Sequence, residues 1–135
     1  MELTGEGTVL IVDDEEIVRR TARTALERYG YSVLLAENGQ QGLDLFREFH
    51  LRIFAIVLDM TMPVMGGEEA LRRMKDIDPK VRVILSSGFN EVEAVRRFTG
   101  KGLAGFIQKP YTARALAEKL AEIRERGGSL QPPHP

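Results

Sequence analysis

Five short apolar runs alternate with five segments of helical spacing, and this alternation constrains the fold more than any other feature. The runs are "TVLIVD" (8–13), "YSVLLA" (31–36), "IFAIVLD" (53–59), "VRVILS" (81–86) and "AGFIQK" (104–109). Between and after them, apolar residues recur every three or four positions, the spacing of one helix face. Ile17, Val18, Ala22, Ala25, Leu26 and Tyr29 mark a first helix, and Leu43, Phe46 and Phe49 a second. Ala70, Leu71, Met74 and Ile77 mark a third, and Val92, Val95 and Phe98, closed by Gly100, a fourth. Leu116, Leu120 and Ile123 mark a fifth, with Thr112 placed to cap its start. Gly30 reads as the cap that ends the first helix. Strict β-α alternation predicts an α/β fold, a parallel sheet with helices on both faces. Every connection is long enough for the right-handed crossover that parallel strands need. The run 53–59 is nearly all apolar, as a strand covered on both faces must be.

The chain has 135 residues, the size of one domain, with 43% hydrophobic and 29% charged residues. That is enough to bury a core without disulfides or a structural metal. The net charge of -1 carries no basic surplus, so nucleic-acid binding is not expected. The absence of Cys excludes thiol catalysis and cysteine metal sites, and fits a reducing cytoplasm, the expected location. No run approaches the ~20 apolar residues of a membrane span, and no signal pattern opens the chain. Residues 1–7 read as an N-terminal extension or linker, 8–126 as the domain, and the Gly- and Pro-rich 127–135 as a flexible tail.

The function-bearing residues stand where strands end. The first run ends at Asp13 and Asp14, the third at Asp59, the fourth at Ser86, Ser87 and Gly88, and the fifth at Lys109 and Pro110. In a parallel sheet all these ends share one edge, where doubly wound folds bind ligands. If strands one and three are neighbours, as in the order 2-1-3-4-5, Asp13, Asp14 and Asp59 meet. Three carboxylates so close repel one another, so one must protonate or the group must take up a cation. Oxygen ligands without Cys or His favour Mg²⁺, with Mn²⁺ suited to the same set, over Zn²⁺. Lys109 adds an ammonium on the other side. A cation and an ammonium beside a carboxylate suit a phosphoryl group, whose oxygens they neutralise. Ser87, before the small Gly88, can offer that group a hydroxyl.

The motifs "IVDDEE", "VLDMTMPVMGG", "VILSSG" and "FIQKP", in this order and at these separations, resemble the receiver domain of two-component response regulators. The likeness covers roughly residues 8–125. It implies a flavodoxin-like (CheY-like) (βα)5 fold with strand order 2-1-3-4-5, and that order is taken from it. It implies that Asp59 accepts a phosphoryl group from a phosphohistidine of a histidine kinase or phosphotransfer domain, or from acetyl phosphate. Asp13, Asp14, Asp59 and the Thr61 carbonyl would hold Mg²⁺, and Lys109 would pair with the phosphoryl group. The Lys109-Pro110 bond would be cis. Ser87 and Phe106 would be the switch residues: Ser87 moves toward the phosphoryl group, Phe106 turns inward, and the face of helix four, strand five and helix five changes shape. The domain would act on itself, accepting and slowly losing the phosphoryl group, rather than as an ordinary enzyme.

Two departures stand out. Phe106 lacks the hydroxyl of the commoner Tyr. Thr61 and Phe89 fall where the family tunes acyl-phosphate lifetime, and an apolar Phe89 implies slow self-dephosphorylation. Taken alone, Asp13 and Asp14 read equally well as a solvated acidic pair at a helix start. Competing functions are a Mg²⁺-dependent aspartate phosphatase of the haloacid dehalogenase type, a flavin-binding module, and a receiver-like interaction module without phosphorylation. The phosphatase needs an acid where Thr61 stands, and the acidic "DDEEIV" would repel a flavin phosphate. Resemblance to receivers at the C-termini of hybrid histidine kinases places the chain there or as a stand-alone regulator. A monomer or weak dimer with an undefined downstream partner is the expectation.

Overall fold

A computed structural model describes residues 2–88 and 91–126. Its elements alternate as β1 (Thr8–Val12), α1 (Glu16–Arg28), β2 (Ser32–Ala36), α2 (Gly39–Phe49), β3 (Ile53–Asp59), α3 (Gly67–Ile77), β4 (Val83–Ser87), α4 (Glu91–Phe98), β5 (Gly105–Gln108) and α5 (Ala113–Arg126). The five strands form one sheet in the order β2-β1-β3-β4-β5, with every pair parallel.

Successive strand side chains point to opposite faces, so each apolar run feeds two cores. On one face Leu10, Val12, Ile56, Leu58, Val83 and Leu85 pack with Leu43 and Phe46 of α2 and Leu71 and Met74 of α3. On the other, Val9, Ile11, Ala55, Val57 and Ile84 pack with Ala22 and Leu26 of α1 and Leu116, Leu120 and Ile123 of α5. The middle of β3 is fully enclosed: Ala55, Ile56 and Leu58 have no exposed surface. Each large side chain buried in this way contributes about 1.5–3 kcal/mol, which fixes β3 and the residue at its end.

Local hydrogen bonds and backbone angles fix the helix ends, at Thr112 and Gly30 as the sequence suggests. Thr112 Oγ1 accepts the Ala115 N–H at 3.0 Å and starts α5. Asn38 caps α2 by accepting the Gln41 N–H at 2.9 Å, while Gln41 Oε1 takes the Glu37 N–H at 2.8 Å. Gly30 ends α1 at φ +98°, a conformation that side chains with a Cβ rarely adopt. Two expectations need correction. Strand four starts at Val83 rather than 81, because the Val81 N–H turns back to the Asp78 carbonyl. Ile17 is not on the buried face of α1 but 70% exposed, since the helix turns Ala22, Ala25 and Leu26 inward instead.

Residues before β1 lie against the body. The Gly5 N–H donates to the Tyr29 carbonyl at 2.8 Å, and Arg124 of α5 donates to the carbonyls of Glu2 and Thr4 and to the Tyr31 hydroxyl. Tyr31 in turn stacks on Phe54, and Arg82 lies over the other end of this aromatic pair. No helix among the described residues is long and apolar enough to cross a membrane.

Candidate functional site

The carboxyl ends of β1, β3, β4 and β5 open into a cleft of about 510 Å³ lined by Asp14, Glu15, Asp59, Thr61, Ser87 and Lys109, among others. The strand ends and the turns that follow them deliver these side chains. Asp13 follows β1 directly, and its N–H donates to the Ala36 carbonyl at 3.1 Å. Its carboxylate closes a tight turn into α1 by accepting the Glu15 N–H at 2.9 Å through Oδ1. Asp59 is the last residue of β3, pairs in register with Ser86 and is only 6% exposed. Lys109 follows β5, and its N–H donates to the Ser87 carbonyl at 2.8 Å, which ties the ends of β4 and β5 together.

The four charged groups meet. Oxygens of Asp13, Asp14 and Asp59 lie within 4.8 Å of one another. The Lys109 ammonium is 3.0 Å from Asp13 Oδ2, 3.5 Å from Glu15 Oε1 and 3.6 Å from Asp59 Oδ1. Asp59 carries the electrostatic cost. Burial first, then the Asp13 charge, push its carboxyl up from 3.8 to about 7; Lys109 opposes this, and Asp14 adds to it. Burial pulls the Lys109 ammonium down. The hydrogen bond and charge of Asp13, then Asp59 and Glu15, outweigh that pull and hold it above its usual value.

The loop after β3 shapes the cleft floor. The Gly67 N–H donates to the Met60 carbonyl at 3.0 Å, and a Cβ at Gly67 would lie 2.6 Å from the Asp59 carbonyl oxygen. Only glycine lets α3 start so close beneath β3. Within the loop, Val64 is held at φ +68°, uncommon for a β-branched residue, while the Met65 N–H reaches back to the Pro63 carbonyl at 2.7 Å. The Lys109-Pro110 peptide is cis.

The remaining sequence candidates separate. Ser87 and Gly88 line the cleft. Ser86 is buried outside the cleft lining, and its hydroxyl has no hydrogen-bond partner among the described residues. Thr61 lines the cleft from the loop after β3. Phe106 is not in the cleft. It lies inside the core with Leu85, Phe98 and Leu103 at 6% exposure. Lacking a hydroxyl, it has no polar group to draw it toward water. Phe89 lies outside the described residues. Two residues escaped the sequence reading. Glu15 shares Lys109 with Asp13, and Arg19 donates from Nη1 to the Asp13 main-chain carbonyl at 2.8 Å. Glu15 had one signal, its place directly after the acid pair. Arg19 had only its spacing, one helical turn beyond Glu15.

The family model of the response regulator receiver domain matches residues 9–121. The chain belongs to this family. Chemotaxis protein CheY of Bacillus subtilis is 33% identical over 113 residues, which are 83% of this chain and 92% of that protein. Sensor kinase CckA of Brucella abortus is 33% identical over 125 residues, 93% of this chain. The chain spans only 13% of that kinase's length, and 13% of the Vibrio harveyi autoinducer 1 sensor kinase/phosphatase LuxN. The crystal structure of a Clostridium thermocellum receiver domain superposes with a TM-score of 0.82 at 29% identity, covering 90% of this chain and 96% of that one. This receiver therefore shares the CheY-like fold, and the acidic cleft lies at the sheet edge where order reverses between β1 and β3.

Proposed function

We propose that Asp59 is the phosphoryl acceptor of this receiver. The observation that carries the proposal is the meeting of Asp13, Asp14 and Asp59 within 4.8 Å, with the Lys109 ammonium 3.6 Å from Asp59. The donor set fits a hard divalent cation: carboxylate oxygens converge, and a carboxyl pushed to about 7 by burial and then by the Asp13 charge gains from a nearby positive charge. Asp13, Asp14, Asp59 and the Thr61 carbonyl would hold Mg²⁺, which when bound neutralises phosphoryl oxygens.

The chain's own residues do the rest. Asp59 must be ionised to attack, and Lys109 favours that state. One Asp59 oxygen forms the new P–O bond as the P–N bond of a phosphohistidine breaks. The electron pair leaves with the imidazole, which takes a proton. Lys109 then moves from Asp13 toward the phosphoryl oxygens, and Ser87 donates a hydrogen bond to one of them. Because Phe106 already sits inside, Ser87 and the chain that follows it carry the change toward α4, β5 and α5. A shift between two states needs a few kcal/mol of differential interaction; one charge-assisted hydrogen bond with a Lys contact is of that size. The donor is a histidine kinase or phosphotransfer domain, and likeness to short segments of long sensor kinases supports a place within or beside such a kinase.

Beryllofluoride, which mimics an acyl phosphate without needing a kinase, tests the proposal. In ¹H-¹⁵N spectra with Mg²⁺, resonances of Asp59, Ser87, Gly88 and Lys109 should shift, and Asp59→Asn should abolish the response. A folded protein unchanged by Mg²⁺ and beryllofluoride would contradict the proposal.

A further inference from the structure

The structure assigns to Arg19 the role of a positioning residue: its guanidinium sets the direction of the Asp13 carboxylate toward the cation site. The inference rests on the reading of the acidic cleft as a Mg²⁺ site.

The chain must pass from β1 into α1 within three residues, 13–15, and Asp13 is the first of them. Both of its peptide groups are held. Its N–H donates to Ala36 at the end of β2, and its C=O accepts from Arg19 Nη1 at 2.8 Å. With the planes on either side of the Cα fixed, the Cβ direction is fixed as well. The carboxylate is then oriented by the Glu15 N–H on Oδ1 and by Lys109 on Oδ2. Arg19 is suited to this work. Its side chain is 12% exposed, it lies one turn into α1 with its N–H bonded to the Glu15 carbonyl at 3.1 Å, and its planar fork needs no reorganisation to donate. Its other terminal nitrogen, Nη2, faces Glu37 at 3.9 Å, in the β2–α2 loop, where Gln41 Oε1 accepts the Glu37 N–H. The guanidinium thus bridges the β1–α1 turn and the β2–α2 turn, and no step of phosphoryl transfer calls on it directly.

Charge alone and positioning make opposite claims. Arg19 is a cation whose guanidinium lies 2.8 Å from the main-chain oxygen of Asp13, so its field disfavours a second cation, and removing it should tighten Mg²⁺ binding. If it positions Asp13, removing it should weaken binding, as loss of an outer partner of a metal ligand does, by roughly tenfold.

Mg²⁺ affinity of the full chain, measured by isothermal titration calorimetry without any phosphodonor, separates them. Arg19→Met keeps the aliphatic stem and removes every donor. It should bind Mg²⁺ roughly tenfold more weakly, and Arg19→Lys, which restores one donor, should recover part of the loss. Arg20→Met removes the neighbouring, exposed arginine, which faces Glu16 at 3.9 Å, and should bind as the parent does or slightly tighter. Melting in EDTA establishes that each variant is folded, and Arg19→Gln, too short to reach the carbonyl, replaces Arg19→Met if that variant is not. Mg²⁺ binding by Arg19→Met as tight as or tighter than the parent's overturns the inference. A parent that binds no Mg²⁺ overturns the metal reading, and the inference with it, and is seen before any variant is compared.

Discussion

Replacing Asp59 by Asn in the metal-free protein should stabilise it, increasingly as pH rises. The Asp59 carboxyl is pushed from 3.8 to about 7 by burial and by Asp13, against the pull of Lys109. A folded-state value above the unfolded one means that the protonated carboxyl is the form the fold tolerates. The stabilisation from neutrality is fully present below about 3.8 and is lost as pH rises through about 7. Asn imitates the neutral carboxyl at every pH. The rise corresponds to about 4 kcal/mol at ~1.36 kcal/mol per pH unit. Water and salt in the open cleft screen part of this, leaving about 2 kcal/mol. Lys109 is not orphaned in the variant, because Asp13 remains 3.0 Å away. Urea unfolding in EDTA, followed by far-UV circular dichroism because the chain has no Trp, gives both stabilities. The two proteins should match near pH 4 and diverge by about 2 kcal/mol in favour of the variant above pH 7. Mg²⁺ should then raise the stability of the parent more than that of the variant. A variant no more stable than the parent at pH 8, or a difference that does not vary with pH, would refute the reasoning.

Three further outcomes follow from the same geometry. Lys109→Gln removes the cation that lowers Asp59, so the Asp59 carboxyl should titrate above 7 in a ¹³C NMR titration. Gly67→Ala would ordinarily gain helix propensity, but its Cβ would meet the Asp59 carbonyl oxygen at 2.6 Å and Met60 Cα at 2.9 Å, both main-chain atoms that cannot swing aside. A net loss of about 2 kcal/mol in urea unfolding is expected. Val64→Gly should raise the thermal midpoint by a few degrees, because Val64 is 81% exposed and held at φ +68°, a left-handed conformation that costs about 1–2 kcal/mol with a side chain.

What could be read in the sequence, and what could not, divides along physical lines. The run 53–59 was legible because a strand covered on both faces must be apolar throughout, and its last residue therefore had to be special. Asp13, Asp59, Ser87 and Lys109 were legible as strand ends for the same reason, since a parallel sheet puts all such ends on one edge. The separations between them were not, because they depend on side-chain packing across strands far apart in the chain. Arg19 was hidden because it acts on a main-chain carbonyl, which leaves no pattern of residue types. The core partners of Phe106 were not legible, because its ring in β5 clusters with Leu85 of β4, Phe98 of α4 and Leu103 of the loop between α4 and β5. Ile17 fitted the helical period but faces outward, since the period alone does not decide which of two overlapping stripes meets the core. The docking of residues 2–7 on Tyr29, Tyr31 and Arg124 carried no sequence signal beyond an unremarked Gly5.

Intact mass after incubation with acetyl phosphate, with and without Mg²⁺, tests the central claim most directly. The parent should gain one phosphoryl adduct that depends on Mg²⁺, and Asp59→Asn should gain none. An adduct that persists in Asp59→Asn would contradict Asp59 as the acceptor, and a folded parent that gains no adduct and binds no Mg²⁺ would contradict phosphoryl transfer at this cleft.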